Sequence, residues 1–322
     1  MSVKDDVLRC LEQKRGAAVS GGALSARLGV SRNAVFKAVC QLKDAGYGIE
    51  SSRGGYALSV RDNTLSTFGI QKYLAENKYN IHLYNEVSST NTIVKEMAEH
   101  GAPEWTVAVA DRQSAGRGRL GRTFVSPAGT GIYTSVLLRP DIPLEKVTLI
   151  TVAAAVAAVR TIEKHSGKNA EIKWVNDVYV DGKKVCGILT EASFDAELSK
   201  ISYAVLGVGI NVAAPRGGFT GDAKGIAGAL FDTATAELRS AILADFLNFF
   251  SEYYVGGLEG AIDFYRKKQY LVGRRAEISR GGINTVVDVL GVDENCALVV
   301  RYPNDEVAKI SSGDVSVHAE RG

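Results

Sequence analysis

Between Asp111 and Gly131 the chain sets Gly116, Gly118 and Gly121 among Arg117, Arg119 and Arg122, directly after an apolar run from Trp105 to Ala110. Core packing does not select such a stretch. Glycine lets a backbone turn its N–H groups towards a ligand, and arginine offers a planar fork of donors matched to carboxylate or phosphate. The chemistry indicated is an anion site. A solvated connector or a nucleic-acid tether is the bland alternative for an Arg/Gly segment. The letters Gly116-x-Gly118-x-x-Gly121 also meet the dinucleotide fingerprint, but that motif needs a helix to open at once behind the loop. Here Ser126-Pro127-Ala128-Gly129 and an apolar run, Ile132 to Leu138, follow instead, so the dinucleotide fold is rejected. No Walker G-x-x-x-x-G-K-[ST] occurs, which excludes a P-loop.

A second polar group begins at Glu171-Ile172-Lys173-Trp174 and runs through Val175-Asn176-Asp177 to Lys184 and Gly187. Asp181-Gly182 between β-branched runs predicts a type I′ hairpin, which places these lysines and acids on adjoining strands. Strand alternation predicts Lys173 and Val175 on one face, Trp174 and Asn176 on the other, with Asn176 and Asp177 at a strand end. A third group, Gly207-Val208-Gly209-Ile210-Asn211, closes a strand from Ile201, where glycines permit close backbone approach and Asn211 offers both a donor and an acceptor. A fourth, Ser88-Ser89-Thr90-Asn91, lies between a strand from Ile81 to Val87 and a helix running to His100. Ser89 or Thr90 is expected to cap that helix, and the same N-terminus is suited to a small polar ligand head.

The elements that position these groups follow from composition and periodicity. The 322 residues allow two or three domains, and 46% apolar with 23% charged residues suits a well-cored soluble chain. Cys10, Cys40, Cys186 and Cys296 are scattered, with no C-x-x-C and no histidine at metal-ligand spacing, which points to a reducing compartment and no zinc. The start of the chain has no signal-peptide core, and the apolar run from Val147 to Val159 is too short to cross a bilayer, so a cytoplasmic protein is expected. A buried helix from about Leu144 to His165 accounts for that run. Leu238 to Tyr254 gives another helix, whose Ile242, Phe246, Phe249 and Phe250 belong to the core.

Residues 1–60 carry nine Lys and Arg against five Asp and Glu, a net +4 where the whole chain has +2. Val7, Leu8 and Leu11 mark a first helix, Ala23, Leu24 and Leu28 a second that Gly29 breaks. Ser31 is the expected cap of a third, with Val35, Val39 and Leu42 inward and Arg32, Asn33 and Lys37 outward. Ile49–Ser52 and Tyr56–Leu58 flank Arg53-Gly54-Gly55 as a hairpin. Helix-turn-helix plus hairpin is a winged helix; a small bundle for protein contacts is the other reading. Arg61 to Thr64 reads as a linker. From Gly273 on, short apolar strands alternate with turns at Gly281-Gly282, Asp293 to Asn295 and Pro303 to Asp305, predicting a small β-barrel.

These motifs, in this order, resemble the biotin protein ligases, specifically the bifunctional kind that also act as the biotin operon repressor. The resemblance spans essentially the whole chain. Val175 stands where the family usually has proline, and Phe124 where tryptophan is frequent. The resemblance implies an α+β protein: a winged helix-turn-helix over residues 1–62, a catalytic mixed sheet of the class II synthetase/biotin ligase type over 63–270, and an SH3-like barrel over 271–322. It implies activation of biotin by ATP with Mg²⁺ to biotinyl-5′-adenylate, then transfer to a lysine of a biotin carrier protein domain. Biotin would be held by Ser89, Thr90, Asn91, Gln113, Gly116, Arg117, Gly118, Arg119, Lys184, Gly187 and Gly207. The adenylate would be held by Arg119, Arg122, Phe124, Lys173, Asn176, Lys184 and Asn211. Arg119, Lys184 and Asp177 would be catalytic, with no metal ligands legible. Operator DNA would meet Ser31, Arg32, Asn33, Lys37 and Arg53, on a homodimer formed when adenylate binds. A biotin-sensing repressor without ligase activity, or a lipoate-loading relative, is the alternative.

Overall fold

A computed structural model describes residues 2–195, 197, 200–280, 283–311 and 314–317. Helices α1 (Val3–Gln13), α2 (Gly21–Leu28) and α3 (Arg32–Asp44) each start where a serine hydroxyl accepts a backbone N–H. Ser2 accepts from Asp5, Ser20 from Ala23 and Ser31 from Ala34. Gly29, left-handed at φ 66°, ends α2 and turns the chain into α3. Strands β1 (Ile49–Ser52) and β2 (Gly55–Leu58) form the expected hairpin, with Ile49 opposite Leu58. Val7, Leu11, Leu24, Val35, Val39, Leu42 and Leu58 make a core separate from that of the remaining chain.

Residues 61–64 are not a loose linker. Asp62 accepts a hydrogen bond from Gly48 N and pairs with Arg15 on one side, and its carbonyl receives Ala236 N on the other. Short helix α4 (Thr67–Gln71) follows, and Phe68 packs back on the first core.

The central sheet holds β3 (Asn80–Val87), β4 (Thr106–Gln113), β5 (Gly131–Leu138), β6 (Glu171–Lys173), β7 (Asp177–Val180), β8 (Lys183–Asp195) and β9 (Lys200–Asn211). Their order is β3-β4-β5-β9-β8-β7-β6; β3 and β4 run parallel, and every other pair is antiparallel. Helix α5 (Thr90–Glu99) packs Val94 and Ala98 on one face, against Ala108, Leu137 and Val205. On the other face lie α6 (Thr148–Ser166), α7 (Ala236–Gly256) and α8 (Ile262–Lys267), and Ala153 to Ala158 of α6 are all fully buried there. Since α5 covers only part of its face, the rest of that face is left for a ligand.

Three expectations change on contact with the structure. Asp111, Arg112 and Gln113 belong to β4, so the Gly/Arg loop begins only at Ser114. The strand starting at Glu171 stops at Lys173. Trp174, Val175 and Asn176 form a turn with a cis Trp174–Val175 peptide, and Lys173 pairs with Asp177 across it. The turn wins over alternation because its side chains have separate anchors: Trp174 Nε1 donates to Cys296 O at 2.8 Å and Asn176 Nδ2 to Ile188 O at 2.7 Å. Finally, Ser89 stands at the cap position of α5 but makes no capping bond.

The type I′ hairpin is as expected, with φ 51° at Asp181 and 71° at Gly182. At the end of the chain, β10 (Arg275–Arg280), β11 (Ile283–Val292), β12 (Leu298–Arg301), β13 (Val307–Ile310) and β14 (Asp314–Val317) pair antiparallel in the order β13-β12-β11-β10-β14. The expected Gly281-Gly282 turn lies outside the described residues. Ala276, Ile278, Val287 and Leu298 of this sheet join the same core as α6 and α7.

One side chain ties these parts together. Arg239 of α7 is fully buried; Nε donates to Gly131 O at 2.8 Å, Nη1 to Asn63 O at 2.9 Å and Nη2 to Asp111 Oδ1 at 2.8 Å. Asn63 Nδ2 donates to Gly129 O, and Gly129 N donates to Asp111 Oδ1. The guanidinium thus joins both ends of the Gly/Arg loop to the segment that leads out of the winged helix. Arg239→Met keeps the length of the side chain and removes every donor. It should cost about 3 kcal/mol, the low end for breaking a buried pair, because Asp111 retains some solvent. Urea denaturation measures this, and a loss under about 1 kcal/mol would mean that the staple contributes no structure.

Candidate functional site

The open part of the sheet is floored by glycine. Gly187 of β8 and Gly209 of β9 lie directly opposite each other, with Gly207 two residues along the same face. A Cβ built on Gly187 would approach the Phe124 ring to 2.9 Å; one on Gly209 would run into the same ring, and one on Gly207 into Asn91. The missing side chains create a slot that Phe124 enters. Tyr133, paired with Gly209 from β5, braces the ring edge-on at 6.4 Å between centroids. Tyr133 donates to Pro127 O, and burial pushes its phenol up to about 12, so it stays a neutral prop.

Above this floor is a cavity of about 410 Å³, lined by Ser89, Thr90, Asn91, Gln113, Arg117, Gly118, Arg119, Arg122, Phe124, Lys173, Asn176, Asp177, Lys184, Gly187, Gly207 and Asn211. These come from four separate stretches of sequence, and the fold brings them together at one place. Gly116 is the exception. It sits behind the wall against Gln113 Nε2, Ser126 Oγ and the Phe124 carbonyl, where a side chain has no room, so it shapes the loop rather than touching the space. Phe219, Asp222 and Ile226 also line the cavity from the loop after β9.

One end of the cavity is a hydrogen-bonded set of neutral groups. Gln113 Oε1 accepts from Thr90 N at 2.8 Å, taking the capping role expected of Ser89 or Thr90, while Gln113 Nε2 donates to Ser126 Oγ at 2.9 Å. Ser135 Oγ lies 2.7 Å from Thr90 Oγ1 and donates to Asn91 Oδ1 at 2.6 Å. Asn91 Nδ2 in turn donates to Glu191 Oε2 at 2.7 Å. Glu191 also receives Lys95 at 2.6 Å and Arg117, from the Gly/Arg loop, at 3.3 Å. Burial raises the Glu191 pKa, but hydrogen bonds from Asn91 and Lys95 and the charges of Lys95 and Arg117 outweigh it and hold the carboxyl below the usual range.

The other end is ionic. Arg119 Nη1 donates to Asn176 Oδ1 at 3.2 Å, and Lys184 Nζ lies 2.7 Å from Asp177 Oδ1 and 6.0 Å from the Phe124 centroid. Lys173 stands 5.6 Å over the Tyr179 ring, and Asn211 Nδ2 donates to Gly228 O at 3.1 Å. Apart from Arg117, which is paired with Glu191, four lining cations, Arg119, Arg122, Lys173 and Lys184, stand against the carboxylates of Asp177 and Asp222 and leave the wall positive, so an anion is favoured there. Among the described residues no group of three His, Cys, Asp or Glu side chains is placed to cage a metal ion, and no helix is long and apolar enough to cross a membrane.

A second candidate surface lies on the first three helices. Arg32, Asn33 and Lys37 are exposed together on α3, and Arg53 is exposed at the hairpin tip. Ser31 Oγ accepts from Ala34 N as the cap, which leaves its hydroxyl proton and one lone pair for another partner.

Sequence reasoning missed Glu191, Ser135 and Arg239. Alternation from Gly187 through Leu189 puts Glu191 on the cavity face, and alternation from Tyr133 does the same for Ser135. Arg239 sits one turn before Ile242 and Leu243 on the apolar stripe of α7, where a charge demands a buried partner.

The Biotin/lipoate A/B protein ligase family model matches residues 83–211, and an HTH domain model matches 4–57. The bifunctional ligase/repressor BirA of Bacillus subtilis is 34% identical over 98% of this chain and 99% of its own. The biotin--[acetyl-CoA-carboxylase] ligase of Mycobacterium tuberculosis is 28% identical over 71% of this chain and 86% of its own. A biotin protein ligase from Aquifex aeolicus, solved in complex with biotin and ATP, superposes with a TM-score of 0.60 at 26% identity, covering 74% of this chain and 98% of that one.

The geometry around Glu191 fixes a pH dependence. A depressed folded-state pKa contributes stability that is complete above the unfolded value, near 4.5, and is lost as pH falls through the folded value. Glu191→Gln should therefore lower the urea midpoint at pH 7 and differ progressively less from the parent below about pH 4.5. A gap that stays constant down to pH 3 would mean that the carboxylate charge is not what stabilises the contacts of Glu191 with Asn91, Lys95 and Arg117.

Proposed function

The chain belongs to the biotin/lipoate A/B protein ligase family as a bifunctional ligase and repressor, and from that premise we propose how its residues share the two tasks. As a biotin protein ligase it joins biotin to ATP and passes the biotinyl group to a carrier lysine. The carboxylate of biotin attacks the α-phosphate, releasing pyrophosphate and leaving biotinyl-5′-adenylate. The carrier lysine then attacks the acyl carbon, forming an amide and releasing AMP. No residue of this chain needs to bond covalently to either substrate. The work is positioning two anions and offsetting charge on the α-phosphate.

The observation that carries the assignment is the division of one cavity into a neutral hydrogen-bonding end and a cationic end. We assign the biotin ring system to Ser89, Thr90, Asn91, Gln113 and the backbone around Arg117, Gly118, Gly187 and Gly207. The adenylate falls to Arg119, Arg122, Phe124, Lys173, Asn176, Lys184 and Asn211. Lys184, held by Asp177 against the Phe124 face, is a compact mobile charge suited to the phosphate. With no protein metal cage among the described residues, Mg²⁺ fits best as an ion carried by the ATP phosphates, with Asp177 or Asp222 as a carboxylate in reach of it.

Functionally we divide the chain into a DNA-binding segment, 1–62, a catalytic segment, 63–270, and a C-terminal segment, 271–322. We place it in the cytoplasm, in keeping with four cysteines that are all free. One winged helix contacts only a half-site, so useful operator specificity needs two copies at a fixed spacing. Loops 114–130 and 213–225 closing on the adenylate would lower the entropic cost of self-association, which couples ligand to dimer. The Arg239 staple supports this reading, because it ties the segment leading out of the winged helix to the base of the loop expected to close on the adenylate.

Incubation with ATP, labelled biotin and a carrier domain should label one carrier lysine. Lys184→Ala should fold normally and lose biotin-dependent pyrophosphate release by about a hundredfold or more; release near the parental rate would remove Lys184 from the chemistry. Sedimentation with biotin and ATP should show dimers together with tighter binding to a two-half-site duplex. Tighter DNA binding by a protein that stays monomeric would overturn the coupling.

A further inference from the structure

Helix α3 follows a strict amphipathic pattern except at one position. Val35, Ala38, Val39 and Leu42 are buried, whereas Phe36 leaves 54% of its surface in solvent. It sits in the second turn, one helical turn on from Arg32 and Asn33 and next to Lys37, all exposed. Phe36 is thus the one large apolar side chain displayed on the exposed face of α3, among Arg32, Asn33 and Lys37, and it is absent from the core that Val35, Ala38, Val39 and Leu42 build behind it.

The surroundings specify what covers the ring. Arg32 and Lys37 flank it, Arg53 projects from the hairpin tip, and the first sixty residues carry net +4. That setting repels a basic partner and attracts a polyanion. A recognition helix enters the major groove with its N-terminal residues on the base edges. The one apolar group displayed there is the 5-methyl of thymine, the natural contact for an exposed phenyl ring. We propose that Phe36 is a specificity-determining residue that reads thymine methyl groups in each half-site, while Arg32, Lys37 and Arg53 fix the register on phosphates and neighbouring base edges. This rests on the winged helix binding duplex DNA as a repressor.

The test removes the methyl group and the ring separately. A duplex is selected from a randomised library by the full-length protein with biotin and ATP, then resynthesised with single dT positions replaced by dU, which lacks only the methyl. At one position per half-site the parent should lose about fourfold, and about fifteenfold when both half-sites are changed, as expected for one buried methyl each. Phe36→Ala should bind the dT duplex as weakly as the parent binds the doubly substituted one, and should respond to dU by less than about twofold. Phe36→Leu should retain part of the dU response. Carrier biotinylation and the circular-dichroism melting curves of both full-length variants should match the parent, which shows that the catalytic sheet and the winged helix are both folded. The proposal is overturned if Phe36→Ala keeps parental affinity, if it remains as sensitive to dU as the parent, or if the variant loses self-association instead of methyl discrimination. Failure of the parent to enrich any duplex would remove the DNA-binding reading itself, and this proposal with it.

Discussion

A charge sealed inside a protein needs a counter-charge and hydrogen-bond partners, and Arg239 is the point on which this structure turns. Its guanidinium is fully buried and is matched to the Gly131 carbonyl, the Asn63 carbonyl and the Asp111 carboxylate. Those partners are the two ends of the Gly/Arg loop and the exit from the winged helix. The loop can therefore carry glycine and arginine without wandering, because its ends are fixed. The same constraint makes residues 61–64 a joint. Asp62 binds Gly48 on one side of it and Asn63 binds Gly129 on the other.

A complementary constraint acts on space. Three glycines on adjacent strands leave a hollow in a sheet whose other face is packed by α6 and α7. Phe124 fills part of that hollow and stops short of filling all of it. The position of Lys184 follows from this arrangement, since it lies between that ring and Asp177. A larger residue at Gly187 or Gly209 would displace the ring, and one at Gly207 would displace Asn91 from the neutral end.

Much of this was legible in the sequence because the chemistry restricts residue type. Glycine beside arginine, paired lysines around Asp181-Gly182 and Gly207-Val208-Gly209 cannot be exchanged for generic surface residues, so the letters themselves mark the cavity. The Ser31 cap of α3 was legible for the same reason: only a few side chains accept the first free N–H groups. What escaped notice depended on distant partners. Gln113 caps α5 from another strand, Trp174 leaves the sheet because Cys296 accepts its indole N–H, and Glu191 draws Arg117 across from the loop. Local spacing holds no record of such contacts. Arg239 was an intermediate case, since its place on an apolar helical stripe announced a buried partner without saying which one.

The hydrogen bond from Trp174 to Cys296 also gives the molecule an optical asymmetry. The chain has two tryptophans. Trp105 is packed among Tyr79, Phe250 and Tyr254 on the far side of the sheet, while Trp174 lines the cavity with its indole N–H held by a C-terminal turn. Indole emission responds to the polarity and charge of its immediate surroundings, so filling the cavity changes one chromophore and leaves the other as an internal standard. The turn that positions Asn176 and Asp177 is thus also an intrinsic spectroscopic gauge of occupancy, and it needs no label to be read in the intact protein.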